Sequence, residues 1–144
     1  MDKIKPLFTA TATAAGGRNG HAESSDGVVR ADLSIPKEMG GPGKAGTATP
    51  EHLFAAGYAA CFGSALDFVA KRQKKDASKA KVTAAVSIGT REDGGFGLAV
   101  KLQVEDRSLP QAELVALTNE AHKVCPYSHA TRNNIEVQLS VTGR

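Results

Sequence analysis

Thr49-Pro50-Glu51-His52-Leu53-Phe54-Ala55-Ala56-Gly57-Tyr58-Ala59-Ala60-Cys61-Phe62-Gly63-Ser64-Ala65-Leu66-Asp67 is the stretch on which the fold turns. Thr49 suits an N-cap, Pro50 the first helical position, and Glu51 the positive end of the helix dipole. The pattern predicts a helix running to about Gln73. No charge stands between Glu51 and Asp67, and a helix apolar all round is buried on most sides. Gly57 and Gly63 each cost about 1 kcal/mol against alanine in a helix interior, so close approach by another backbone is the expected compensation. The prediction is a central helix with Cys61 on its most buried part.

Upstream, Leu7 to Ala15 alternates, with Phe8, Ala10, Ala12 and Ala14 on one face, which is a strand period. Asn19-Gly20 is a favoured type I′ pair, and Val28 to Ile35 alternates again. A β-hairpin with a wide loop through His21 to Asp26 is predicted, followed by an irregular glycine-rich loop from Pro36 to Thr47. Downstream, Val82, Ala84, Val86 and Ile88 share one strand face, as do Leu98, Val100, Leu102 and Val104, and Asp93-Gly94-Gly95 joins them as a hairpin. A second helix should start near Ser108, where Gln111 completes something close to a capping box, and Pro126 should end or redirect it just after Cys125. Ile135 to Thr142 is the clearest strand. The order hairpin, helix, hairpin, helix, strand predicts one α+β domain over residues 1–144, with antiparallel sheet and two principal helices.

Composition narrows the function classes. Of 144 residues 41% are hydrophobic and 23% charged, ordinary for a globular chain. A net charge of +3 is too small to point to nucleic acid or an anionic membrane as partner. The run Lys71, Arg72, Lys74, Lys75, Lys79 and Lys81 reads as a solvated helix end that complements the dipole. Threonines interrupt the apolar residues after Lys3 and Lys5, so no secretion signal is expected, and no segment is read as long enough to span a bilayer. The expected location is the cytoplasm, where thiols stay reduced and two cysteines are chemical or inert rather than a structural bridge.

Four histidines, His21, His52, His122 and His129, show none of the close pairings of zinc sites, so no metal is expected. Gly40-Gly41-Pro42-Gly43-Lys44 lacks the spacing of a phosphate-binding loop. The cysteines remain. A buried cysteine is by default a small core hydrophobe, and apolar surroundings raise its pKa. A reactive Cys61 therefore needs a nearby cation. Lys71 lies about 15 Å further along the helix at 1.5 Å per residue, so that cation must come from elsewhere in the fold. Cys125 and His129, four apart, leave a Cys-His hydrolase dyad open, and the small-residue helix leaves a non-catalytic carrier of hydrophobic ligands open.

Pro50 to Phe62 resembles the first cysteine motif of the organic hydroperoxide resistance family, in the wider Ohr/OsmC group, and Val124-Cys125-Pro126-Tyr127-Ser128-His129-Ala130-Thr131-Arg132 resembles its second. Gly17-Arg18-Asn19-Gly20 and the loop Ser34 to Gly43 are similar too, so the likeness spans essentially the whole chain. His52, His129 and Asn133 stand where the family pattern has glutamine, asparagine and glycine.

The resemblance implies an OsmC-like fold in an intertwined homodimer. It implies Cys61 as peroxidatic cysteine, Cys125 as resolving cysteine, and Arg18 and Glu51 as their electrostatic partners. The implied activity is reduction of organic hydroperoxides through a Cys61 sulfenic acid and a Cys61–Cys125 disulfide. No cofactor would be bound; an external dithiol, a lipoyl group on a carrier protein, would reopen the disulfide. Phe8, Phe54, Tyr58 and Phe62 are candidates for an apolar substrate wall. Glu51 and Cys61 are separated by about 15 Å of helix, so a straight helix predicts a site completed by Arg18 or Glu51 of a second chain.

Overall fold

In the computed structural model, which describes residues 1–144, the chain falls into two compact units, Met1–Pro50 and Glu51–Arg144. The first is organised by backbone turns. Strands β1 (Ala12–Ala15), β2 (His21–Ser24) and β3 (Arg30–Asp32) form an antiparallel sheet in that order. Of the stretch expected to be a strand from Leu7, only the last four residues pair. The predicted wide loop supplies the middle strand instead, in register Ala15↔His21 and His21↔Asp32. Polar side chains support it. Arg30 Nε lies 2.6 Å from Glu23 Oε1, and His21 Nδ1 lies 2.8 Å from Asp32 Oδ1.

The type I′ reading of Asn19-Gly20 is also replaced. Gly16 and Gly17 take the left-handed conformations, at φ 77° and 57°, and Gly17–Asn19 form a single 3-10 turn. Gly20 is required for a different reason: a Cβ there would lie 1.8 Å from the carbonyl oxygen of Ala15. Only Leu33 and Ser34 are buried in this unit.

The second unit is organised by packing. Helix α1 (Pro50–Arg72) is unbroken and starts at the predicted proline. Contrary to the sequence reading, its length and a mean hydropathy of 1.5 over 18 residues suffice to cross a membrane. Tyr58, Phe62, Ala65, Leu66, Val69 and Ala70 bury one side of it in the unit's core, a role with the same composition.

Strands β4 (Lys81–Thr90) and β5 (Phe96–Glu105) form the predicted hairpin, from Lys81↔Glu105 to Thr90↔Phe96. The turn is held by Asp93, whose carboxylate accepts from Arg91 and from the Gly95 backbone N–H. Helix α2 (Gln111–Val124), a short α3 (Pro126–Thr131) and strand β6 (Val137–Thr142) complete the unit. β6 pairs with β5 in parallel, Val100↔Val137 to Glu105↔Thr142, so this sheet is mixed rather than antiparallel. A helical crossover between β5 and β6 is what allows parallel pairing.

The capping box is not formed either. The Ser108 hydroxyl donates to Asp106 Oδ1, and Gln111 spends its amide on the last strand, donating to the Val141 carbonyl at 3.0 Å and accepting from the Gly143 N–H. Val100, Leu102 and Val104 of β5 meet Leu114, Leu117 and Ala121 of α2 and the inner side of α1 in one core.

Candidate active site: a thiol pair between two helices

Pro126 decides where the second cysteine sits. Proline has no N–H and excludes its predecessor from the helical region, and Cys125 accordingly takes φ −65° and ψ 123°. The chain turns there, and α3 begins with proline at its first position. Cys125 is held on both sides by backbone bonds: its N–H donates to the Ala121 carbonyl, and its carbonyl accepts from His129 N–H, each at 2.9 Å. This brings its sulfur to 3.5 Å from Cys61 on α1, with the Cys125 thiol donating.

The burial of the two cysteines reverses the sequence expectation. Cys125 is wholly buried, whereas Cys61 is only partly so. An all-apolar helix does not announce which face turns inward, and the inward face belongs to Tyr58, Phe62, Leu66 and Val69. Burial pushes the Cys61 thiol above its ordinary pKa and contact with Cys125 adds to the rise, while the backbone N–H of Tyr127, hydrogen-bonded to Cys61, works against both.

Aromatic rings stand beside the pair. Tyr127 packs against Phe54 and Tyr58, with centroids 6.1 Å and 5.7 Å away. Gly57 makes room for it, because a Cβ there would lie 2.9 Å from Tyr127 Oη. The close approach expected at this glycine is therefore made by a ring and not by a backbone. Tyr127 is half-exposed and Phe54 partly buried, while Tyr58 and Phe62 belong to the core. Phe8 is 87% exposed in the first unit.

Arg18 lies in the first unit, partly buried on the 3-10 turn that Gly16 and Gly17 make possible. Glu51 occupies the first turn of α1. Because α1 is unbroken through this stretch, Glu51 and Cys61 stay about 15 Å apart along the axis. His129, the imagined partner in a hydrolase dyad, is exposed, and the Cys125 thiol is engaged by Cys61 instead. No cluster of three or more His, Cys, Asp or Glu is placed to hold a metal ion.

Sequence reasoning weighed His122 only as a metal ligand and gave Tyr127 and Ser128 no role of their own, whereas the Ser128 hydroxyl lies 2.8 Å from His122 Nδ1. Tyr127 and Ser128 lie inside the second cysteine motif, and the pairing of a hydroxyl with a ring nitrogen six residues away has no local signature.

Residues 41–140 match the family model described as OsmC-like protein. The organic hydroperoxide resistance protein of Xanthomonas axonopodis pv. citri is 50% identical over 138 residues, covering 95% of this chain and 96% of that protein. Organic hydroperoxide resistance protein OhrB of Bacillus subtilis is 47% identical over 136 residues, covering 94% and 98%. The crystal structure of an organic hydroperoxide resistance protein from Elizabethkingia anophelis superposes with a TM-score of 0.91 at 49% identity, over 98% of this chain and all of that one. With two cysteines converging between α1 and α2 and similarity along the whole chain, the protein belongs to the OsmC-like family, in its organic hydroperoxide resistance branch.

Proposed function

We propose that the chain is a thiol peroxidase that reduces organic hydroperoxides to alcohols. The observation that carries this reading is the 3.5 Å separation of the Cys61 and Cys125 sulfurs. In the first step the Cys61 thiolate attacks the distal oxygen of ROOH. An S–O bond forms as the O–O bond breaks, and the alkoxide takes a proton and leaves as ROH. In the second step the Cys125 sulfur attacks the Cys61 sulfenic acid. An S–S bond replaces the S–O bond, and the departing hydroxide leaves as water with the thiol proton. An external dithiol, a lipoyl group on a carrier protein, then reduces the disulfide by exchange.

Cys61 carries the first step because it is the more accessible sulfur and receives a hydrogen bond from the other. Its raised pKa makes a cation necessary at neutral pH. Arg18 is the proposed source, held by Glu51 through paired hydrogen bonds. The half-exposed Phe54–Tyr127 edge favours an alkyl or fatty-acid peroxide over H₂O₂.

The working unit is proposed to be a homodimer. A three-stranded sheet needs an apolar face to cover, yet all four residues of β1 are exposed, as are Ile4, Leu7, Phe8 and Val28. A second copy would supply the cover and could complete the site with its own Arg18 or Glu51. The cytoplasm suits a cycle that begins from reduced thiols.

The test is turnover of cumene hydroperoxide with dihydrolipoamide. Cys61→Ser should abolish it. Cys125→Ser should leave one stoichiometric burst ending at sulfenic acid. Full turnover by Cys61→Ser would exclude the proposal.

A further inference from the structure

Four residues that take no part in the thiol chemistry, Tyr58, His122, Ser128 and Thr131, form a largely buried polar network on the turns that carry the two cysteines. Ser128 is wholly buried. Its hydroxyl lies 2.9 Å from Tyr58 Oη and 2.8 Å from His122 Nδ1. Tyr58 Oη is also 3.1 Å from Thr131 Oγ1, and the Thr131 hydroxyl donates to the Ser128 carbonyl at 3.2 Å. With His122 donating from Nδ1, each hydroxyl proton is used once, running from Ser128 to Tyr58 to Thr131 and on to the carbonyl. Phe62 closes one side against the His122 ring, with centroids 6.2 Å apart.

The placement of these groups matters more than their number. Tyr58 is three residues before Cys61, on the same side of α1 one turn away. Ser128 is three residues after Cys125 and His122 three before it. The network thus ties the turn that carries Cys61 to both flanks of the turn that carries Cys125. Buried hydroxyls paired in this way resist separation, because breaking one bond strands a polar group in the core. Tyr58 is also packed by Phe54 and Tyr127.

We infer that Ser128, bridging Tyr58 and His122, is a positioning residue that fixes the Cys125 sulfur at attacking distance from Cys61 and so sets the rate of disulfide closure. The inference rests on the two-cysteine reading above. In the step concerned, the Cys125 sulfur displaces hydroxide from the Cys61 sulfenic acid, which leaves as water with the thiol proton. A displacement of about 1 Å at such a contact costs on the order of a hundredfold in rate. A sulfenic acid left waiting meets a second peroxide and is oxidised to sulfinic acid.

The experiment is rapid mixing of reduced protein with cumene hydroperoxide, following Cys61 oxidation and disulfide formation separately, with mass spectrometry of the product. Ser128→Ala should slow closure at least about tenfold and accumulate Cys61 sulfinic acid, while the first step stays within about twofold of the parent. His122→Phe should repeat this pattern. His122→Asn, which keeps a donor near the Nδ1 position, should restore closure. If Ser128→Ala does not fold, the two His122 variants carry the test. Wild-type closure rates in a folded Ser128→Ala, or no difference between His122→Phe and His122→Asn, would overturn the inference alone. Absence of any Cys61–Cys125 crosslink in the unaltered protein would instead overturn the reading beneath it.

Discussion

The first fifty residues and the remainder of the chain are held in opposite ways. In Met1–Pro50 the strands are short, two residues are buried, and the shape comes from left-handed glycines and exposed ion pairs. In Glu51–Arg144 two ten-residue strands, two long helices and a contiguous apolar core do the work. The contrast separates stability that comes from excluded water from stability that comes from backbone conformation. It also sorts residues by the kind of substitution they resist.

Substitutions can sharpen this contrast. Leu102 is wholly buried at the centre of the second unit, so Leu102→Ala should lose about 2–5 kcal/mol in urea unfolding. Val29→Ala, on a side chain 50% exposed in the first unit, should stay within about 0.5 kcal/mol. Equal losses would break the comparison. Gly20→Ala presses a methyl onto the Ala15 carbonyl and should cost about 1–3 kcal/mol through forced backbone shifts, although no apolar contact is lost.

Asn133, a position where the resemblance leads one to expect glycine, takes a φ of 60°. Asn is among the few non-glycine residues that visit this region readily. Asn133→Ala should cost about 1 kcal/mol and Asn133→Gly almost nothing, measured by thermal unfolding. The smallest effect expected is a pH dependence. Burial, and then the nearby Arg132 charge, hold the His122 pKa below its ordinary 6.5. The unfolded chain therefore binds the extra proton first. Stability should be fully present above pH 6.5 and decline as pH falls toward the folded pKa. His122→Asn should flatten that part of a pH series of urea midpoints, and an unchanged slope would remove the assignment.

The same contrast governs what the sequence made legible. Where side chains alternate between core and water, as in β4, β5 and β6, the strands could be read directly. α1 could be read from its Pro50-Glu51 start and its uncharged length. Three features could not. β2 carries His21 and Glu23 in cross-strand ion pairs, so no apolar alternation marks it. The parallel direction of β6 depends on its neighbour, which alternation does not encode. The burial of Cys61 depends on which side of an apolar helix faces inward.

The site itself was legible mainly by resemblance. Nothing in the spacing of Cys61 and Cys125 predicts that they meet. The meeting depends on Pro126, which ends α2 at Val124 and turns the chain at Cys125, and on Gly57, which admits the Tyr127 ring. Both residues were visible in the sequence, but their joint consequence is a tertiary one.

Whether the two sulfurs form a working redox pair is tested most directly by a mass measurement. Reduced protein should receive one equivalent of cumene hydroperoxide, followed by intact mass analysis and peptide mapping. Loss of two hydrogens with a Cys61–Cys125 crosslink is the predicted result. Unchanged mass, or oxygen accumulating on Cys61 with Cys125 still free, would contradict it.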